Sequence, residues 1–342
     1  MQIFNRALLT NLFLALFSLA FSILIAEITC RIVPFSNDSN PTYKLAHKIL
    51  PYVMQPNSKS TSIHGHLIRI NSHGLRDFEY PYRKPERTFR ILVVGGSIEF
   101  AYGANMKYGY TKVLEKRLNS LENKKYNKVE VINTGHPGFS TRDQYNYLRL
   151  YGLNYSPDIL VVGVNSRLLV AKSLEVVIID GVDSKPGSLW LRLRIPPAVK
   201  KVLRKSHLYM AVGFWVSQIR HKFRDQTTIS KDTLEKVLAV TNDNFEKIIL
   251  LASQNKLPVY FAAVPKKAEL ALKAYRAPQF YQKLKDLENE NKAVFIDMMR
   301  PFAKYSGNAE ELYVNKDHVH LSAKGHQVFA DMLYDNLIST IQ

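Results

Sequence analysis

The chain has one cysteine, Cys30, among its 342 residues. A single thiol cannot form an internal disulfide, and it makes a cysteine-rich metal site implausible. The sequence also lacks a Gly-rich phosphate loop, a dinucleotide fingerprint and the G-x-S-x-G elbow of α/β-hydrolases. Its His-x-His pairs, at positions 64/66 and 318/320, lack supporting carboxylates in the pattern. We therefore expect no cofactor and no metal.

Charge is absent from an N-terminal run, residues 7–26, which is apolar apart from four small polar residues. About twenty residues rising about 1.5 Å each span the hydrocarbon core of a bilayer. Residues 27–31 offer no A-x-A cleavage pattern, so an uncleaved single-pass anchor is favoured over a cleaved signal peptide. Basic residues flank both ends of the run, but the very short N-terminal tail favours an extracytoplasmic position for the large C-terminal part.

Positive charge is in excess and unevenly distributed. The formal net charge is +18, and residues 185–231 hold eleven Lys or Arg residues but one acid, Asp225. Apolar and aromatic residues are interleaved with these cations. Such a segment can contact an anionic membrane surface or a polyanionic substrate, and a solvated helical insertion is an equally open alternative. No recognition motif accompanies the charge, so nucleic acid is not an expected partner.

Short apolar runs alternate with longer helical patterns from residue 90 onward. The predicted strands are 91–95, 129–133, 159–163, 259–264 and 294–298. The predicted helices lie near 110–121, 141–153, 234–254, 278–289 and 323–341. This order predicts a three-layer α/β/α sandwich with a mostly parallel five-stranded sheet. The predicted domains are an anchor (1–30), a connector (31–88) and an α/β domain (89–342) with the basic segment inserted at about 180–231.

Polar residues follow several of the predicted strands. Ser97 follows the first strand, Asn165 follows the third, and Asp317 and His320 lie in the loop after the fifth. Sites in open parallel sheets collect at the carboxyl ends of the strands. A histidine can take the proton of a serine hydroxyl, and an aspartate three residues earlier can orient the ring. The sequence thus predicts serine-dependent acyl chemistry.

Four blocks resemble the SGNH (GDSL-type) hydrolase family over roughly residues 90–342: positions 94–97, 133–138, 163–165 and 317–320. The resemblance implies a flavodoxin-like sandwich that hydrolyses or transfers acyl esters. It implies that Ser97 is the nucleophile, His320 the general base and Asp317 its orienting partner. It also implies an oxyanion hole made by the backbone amides of Ser97 and Gly138 and the side-chain amide of Asn165.

Two positions depart from the family pattern. Gly96 stands where the family's first block has Asp, and Ser166 follows Asn165 where Asp is common. A Gly-Gly-Ser block and the stretch 70–77 resemble a membrane-anchored branch of the family. We expect an altered loop with a working site, and an ordinary loop role for Glu99 and Tyr102.

The leading hypothesis is a membrane-anchored serine esterase that acts on an ester of a lipid or a cell-surface glycan. An O-acyltransferase would use the same triad with an acceptor site that excludes water. A non-catalytic scaffold, favoured by Gly96 and Ser166, would dock through the basic segment. In that case Ser97 would merely cap a helix, and Asp317 with His320 would order a loop.

Overall fold

The structure is a computed structural model that describes residues 2–32, 44–62, 64–122, 125–165, 203, 206–209, 211–212, 215, 231–270, 279–305, 307–315 and 317–342. The chain divides into two compact units, Met1–Pro41 with Lys185–Thr228 and Thr42–Ser184 with Ile229–Gln342. Most of the predicted basic insertion, and Ser166, lie outside the described residues.

The first unit contains a long apolar helix, α1 (Gln2–Ile32). Its part Leu8–Ile32 is 25 residues long and apolar enough to cross a membrane, a property that signal sequences share. Near its end, the Glu27 carboxylate accepts hydrogen bonds from Ser206 Oγ at 2.8 Å and from the Leu208 backbone amide at 2.9 Å. The single acid within this stretch is therefore satisfied by polar partners.

The second unit is built from short strands followed by alternating strands and helices. Its strands are β1 (Lys44–Leu45), β2 (Val53–Met54), β3 (Lys59–Thr61), β4 (Leu67–Arg69), β5 (Thr88–Val94), β6 (Lys128–Asn133), β7 (Ile159–Val164), β8 (Val259–Ala263) and β9 (Val294–Asp297). Its helices are α2 (Tyr110–Asn119), α3 (Thr141–Leu150), α4 (Lys231–Gln254), α5 (Lys267–Leu270), α6 (Gln279–Asn289), α7 (Met299–Ala303) and α8 (Ala323–Ile341).

The main sheet has five strands in the order β6-β5-β7-β8-β9, and every neighbouring pair is parallel. β5 lies between β6 and β7, with Ile91 opposite both Val131 and Ile159. The loops after these three strands consequently leave one edge of the sheet side by side. The predicted α/β/α sandwich with a parallel sheet is confirmed.

Helices cover both faces of this sheet, which explains why its strands are nearly continuous in apolar residues. Alternate residues of β5 point to opposite faces, so Leu92 packs in one core and Val93 in the other. The first core includes residues of α3, α4 and α6, and the second includes residues of α2 and α8. Ser322 begins α8 by accepting a hydrogen bond from the Gly325 amide at 3.2 Å, so the helix starts where the sequence predicts.

Residues 44–62 and 64–87 pack against the sandwich, although the sequence reads as a connector there. Two short antiparallel pairs, β1 with β2 and β3 with β4, organise this stretch. Leu50, Ile68 and Leu75 are buried in the same core as β5 and β7. Arg76 is also buried, and its guanidinium donates to the carbonyls of Phe100 and Ala101 at 2.9 and 2.7 Å. The stretch is thus part of the structure around the loop that follows β5.

Candidate active site

Ser97 lies in a tight turn three residues after β5 ends, not at the start of a helix. The turn is closed by backbone hydrogen bonds from Phe100 to Gly96 at 3.1 Å and from Tyr102 to Ser97 at 3.0 Å. The next described helical segment begins only at Met106. The serine side chain is half-buried and is free of a helix-capping role, so its hydroxyl can face another functional group.

That group is His320, which lies 223 positions later in the sequence. Its Nε2 is 2.9 Å from Ser97 Oγ, and its Nδ1 is 2.7 Å from Asp317 Oδ2. The three side chains therefore form one continuous hydrogen-bonded chain from carboxylate to ring to hydroxyl. With Nδ1 carrying the proton, Nε2 is free to accept the proton of the serine.

Asp317 also orders the loop that carries His320. Its other oxygen, Oδ1, accepts the backbone amides of Val319 at 2.8 Å and His320 at 2.9 Å. Burial alone would raise the pKa of Asp317, but the hydrogen bond and charge of His320 and these amides outweigh it and hold the pKa below its usual range. The carboxylate is consequently ionised while it orients the ring, and loop ordering and ring orientation coexist in one side chain.

Gly138 lies in the loop after β6, with a φ of 81° that favours glycine. This loop is tied to the nucleophile turn, because the His136 amide donates to the Gly95 carbonyl at 3.1 Å. The side-chain amide of Asn133 donates to the Glu99 carbonyl at 2.6 Å. The hydroxyl of Tyr52 donates to the Pro137 carbonyl at 2.8 Å, which braces the residue next to Gly138.

Asn165 is buried directly after β7, the neighbour of β5. Sheet order therefore delivers Ser97, Gly138 and Asn165 from three adjacent strands to the same edge. This is the arrangement in which backbone amides and a side-chain amide can converge on a substrate oxygen. The roles assigned to these residues from the sequence stay predictions.

Glu99 occupies a position that the sequence did not suggest. Its carboxyl is fully buried under the nucleophile turn, and its Oε2 accepts the Gly96 amide at 2.6 Å. A Cβ placed on Gly95 or Gly163 would lie 2.2 or 2.1 Å from this carboxyl, so those glycines provide its space. Burial raises the pKa of Glu99 to about 7, and the Gly96 hydrogen bond offsets part of that effect.

His64 places a second imidazole ring beside the Ser–His–Asp chain. Its Nε2 lies 3.6 Å from Asp317 Oδ2, and its ring centroid lies 6.0 Å from that of His320. Burial lowers the pKa of His64 and the nearby His320 lowers it further, whereas the Asp317 carboxylate acts in the opposite direction. The sequence contains the His64-x-His66 pair, but nothing in a local pattern signals contact with a loop about 250 positions away.

Comparisons with known proteins concern the fold. No protein-family model matches the sequence, and no curated protein is similar to it by sequence. Among solved structures, the chain is similar to a lipase/acylhydrolase from Enterococcus faecalis, with 16% identity, coverage of 74% of this chain and 97% of the other, and a TM-score of 0.44. It is also similar to a GDSL-like lipase from Bacteroides thetaiotaomicron, with 14% identity, coverage of 77% and 93%, and a TM-score of 0.41.

A third similar structure is a catalytic mutant of an acetylxylan esterase from Geobacillus stearothermophilus. Its identity is 15%, the match covers 73% of this chain and 94% of that one, and the TM-score is 0.44. These names are those of lipolytic hydrolases and esterases. The roles proposed below rest on the geometry of this chain.

Fold and site together define a parallel α/β/α sandwich with a hydrogen-bonded Ser–His–Asp chain at the carboxyl edge of its sheet. Three of the four sequence blocks that resemble SGNH (GDSL-type) hydrolases lie at the ends of β5, β6 and β7 or directly after them, and the fourth, 317–320, lies in the stretch between α7 and α8.

Proposed function

We propose that this protein is a membrane-anchored serine esterase that cleaves ester bonds through an acyl-serine intermediate. The observation that carries the proposal is the continuous chain from Asp317 through His320 to Ser97, with links of 2.7 and 2.9 Å. Both distances are hydrogen-bond lengths, so proton transfer between ring and hydroxyl needs no rearrangement.

In the acylation step, Ser97 Oγ forms a bond to the ester carbonyl carbon while its proton passes to His320 Nε2. The carbonyl oxygen becomes an oxyanion, which the backbone amides of Ser97 and Gly138 and the Asn165 amide group would stabilise. The bond from carbon to the alcohol oxygen then breaks, and the alcohol leaves with the proton from His320. Asp317 remains ionised throughout and stabilises the imidazolium.

In the second step, a water molecule attacks the acyl-serine and gives one proton to His320. The carbon–Oγ bond breaks, the acid leaves, and Ser97 regains its proton. An acceptor hydroxyl in place of water would make the same site an O-acyltransferase. Product analysis with an acetyl ester and a sugar acceptor separates the two, because hydrolysis releases free acetate and transfer gives an acetylated sugar.

Location and charge suggest the substrate class. The helix that can cross a membrane would anchor the α/β unit on the extracytoplasmic side, where esters of lipids and surface glycans are found. The basic segment 185–231 would contact an anionic surface, although it lies mostly outside the described residues. Neutralising Lys200, Lys201, Arg204 and Lys205 tests this contact. We expect the variant to bind anionic liposomes more weakly than the wild type in low salt, and equal binding of the two proteins would contradict the contact.

Labelling with a fluorophosphonate probe tests the nucleophile. We expect labelling of the wild type and none of Ser97→Ala, while the exposed hydroxyl variant Ser120→Ala labels normally. His320→Ala should also lose labelling, whereas His318→Ala, at an exposed position two residues away, should keep it. A non-catalytic scaffold would instead show the same absent or background labelling in all five proteins.

A further inference from the structure

We propose that His64, Asp317 and His320 form a binding site for a divalent cation of the zinc class, and that a cation bound there switches the esterase off. The inhibitory part of this inference rests on the proposed function, whereas the binding part does not. The proposal departs from the expectation drawn from the sequence, in which the His-x-His pairs lacked a carboxylate.

The structure supplies that carboxylate. The Nε2 atom of His64 is 3.6 Å from Asp317 Oδ2, and His320 Nδ1 is 2.7 Å from the same oxygen. The three ligand atoms all lie within 4.8 Å of one another. In a tetrahedral zinc site with bonds of about 2.0–2.1 Å, neighbouring ligand atoms are about 3.3 Å apart. These two separations lie on either side of that value, so side-chain shifts would let the three residues surround one cation.

His64 has an atom available for this role. Within the described residues, its Nε2 is buried and has no hydrogen-bond partner. A buried polar atom without a partner carries a desolvation cost, which coordination to a cation would remove. The ring is held in place between Tyr102 and His320, with centroid distances of 5.9 and 6.0 Å. Because the ring is already held beside Asp317, binding of a cation to Nε2 would cost little further side-chain entropy.

The donor set selects the kind of cation. Two imidazoles and one carboxylate with an open fourth position for water are typical of zinc, and cobalt accepts the same geometry. Calcium requires six to eight oxygen ligands and magnesium an octahedral shell of oxygens, so neither fits two nitrogens and one carboxylate.

Binding at Nδ1 of His320 has a direct chemical consequence. In the proposed mechanism this nitrogen carries the ring proton, and Nε2 has the lone pair that accepts the proton of Ser97. Coordination of a cation to Nδ1 needs its lone pair, so the ring proton moves to Nε2 and no proton is lost overall. Nε2 then donates toward Ser97 Oγ and can no longer act as its base. The cation also takes Asp317 away from orienting the ring.

Cobalt absorption tests binding independently of esterase activity. EDTA-treated full-length protein in detergent, carrying Ser97→Ala, is titrated with cobalt chloride, and the d–d absorption of a four-coordinate site is followed. We expect saturation at one equivalent, and an affinity at least about tenfold weaker when His64→Gln is added, because one of three ligands is lost. His66→Ala is the matched control, since the Nε2 of His66 is already engaged 3.1 Å from the Gly103 carbonyl.

Zinc inhibition tests the consequence. With the wild type and an ester substrate, we expect zinc chloride to abolish turnover and EDTA to restore it, while magnesium and calcium chloride have no effect. Half-inhibition is defined for each protein against its own rate without zinc. The zinc concentration that gives half-inhibition should be at least about tenfold higher for His64→Gln than for the wild type, and should be the same for His66→Ala as for the wild type.

Three outcomes would overturn the proposal: no cobalt spectrum, the same cobalt affinity with and without His64, or equal inhibition of wild type and His64→Gln. If the wild type has no esterase activity, the cobalt titration still decides whether the cation site exists. Loss of the proposed function and loss of the proposed site are therefore distinguishable.

Discussion

The buried carboxyl of Glu99 leads to a stability prediction with a defined pH dependence. This carboxyl has an ordinary pKa of 4.5 in an unfolded chain, and burial raises it to about 7 in the folded protein. The folded state therefore binds the proton more tightly than the unfolded state does. The protonated carboxyl therefore contributes to the free energy of unfolding. This contribution is fully present below the pKa of the unfolded chain and is lost as the pH rises through the pKa of the folded protein.

The size of the effect follows from the two pKa values. Each pKa unit corresponds to about 1.4 kcal/mol, so between pH 5 and pH 8 ionisation of Glu99 should cost the folded state on the order of 2–3 kcal/mol. Glu99→Gln keeps the shape of the side chain and an acceptor oxygen for the Gly96 amide, but it cannot ionise. The stability of this variant relative to wild type should therefore rise by on the order of 2–3 kcal/mol over the same interval.

Urea unfolding in detergent, followed by far-UV circular dichroism at pH 5 and pH 8, measures this difference. A constant offset between wild type and Glu99→Gln is expected from the changed hydrogen bond to Tyr110, and it cancels in the comparison of the two pH values. The exposed Glu86→Gln is the matched control and should show no pH-dependent difference. A difference between wild type and Glu99→Gln that is the same at both pH values would refute the assignment of Glu99 as a buried group that ionises late.

Three further predictions concern the oxyanion residues, the loop brace and the anchor. Asn165→Ala should lower kcat about 10²- to 10³-fold with unchanged circular dichroism, and an unchanged kcat would remove Asn165 from the oxyanion hole. Tyr52→Phe loses the 2.8 Å hydrogen bond to Pro137, so it should cost about 1 kcal/mol in urea unfolding and lower kcat more than it changes KM. If kcat is unaffected, the brace does not position Gly138. Leu16→Arg places a charge in α1 at a cost of about 2.5–3.5 kcal/mol for membrane insertion, so it should shift the protein to the soluble fraction; retention in the membrane after carbonate washing would contradict the anchor.

The sandwich could be predicted because its signals are local. The run Ile91–Leu92–Val93–Val94 is apolar on both faces, and helices cover both faces of its strand. β5 nevertheless begins earlier, at Thr88, and includes Arg90, whose charge hides the strand from an apolar pattern. In the structure Arg90 is buried because its Nε donates to Glu130 Oε2 at 2.8 Å on the neighbouring strand. Such a pairing across strands leaves no periodic trace in the sequence.

The core of the candidate site could be predicted for a similar reason. Ser97 and the Asp317–His320 spacing are short motifs, and sheet topology brings the ends of the strands together. The contribution of residues 44–87 could not be predicted in this way. Its strands are two or three residues long, too short for an alternating pattern, and His64 meets Asp317 only through the tertiary fold. The burial of the Glu99 carboxyl depends on Gly95, which follows β5, and on Gly163, which lies in β7.

The packing of residues 44–87 bears on how shortened versions of this protein should be prepared. A chain starting at residue 88 would retain every strand of the main sheet and the whole Ser–His–Asp motif. It would nevertheless lose Tyr52 and Arg76, which donate hydrogen bonds to the Pro137 and Phe100 carbonyls, and His64, whose ring packs against that of His320. If that shortened protein were inactive, the result would say nothing about the chemistry. A chain that starts at residue 42 keeps the residues before β5 that pack around the serine loop.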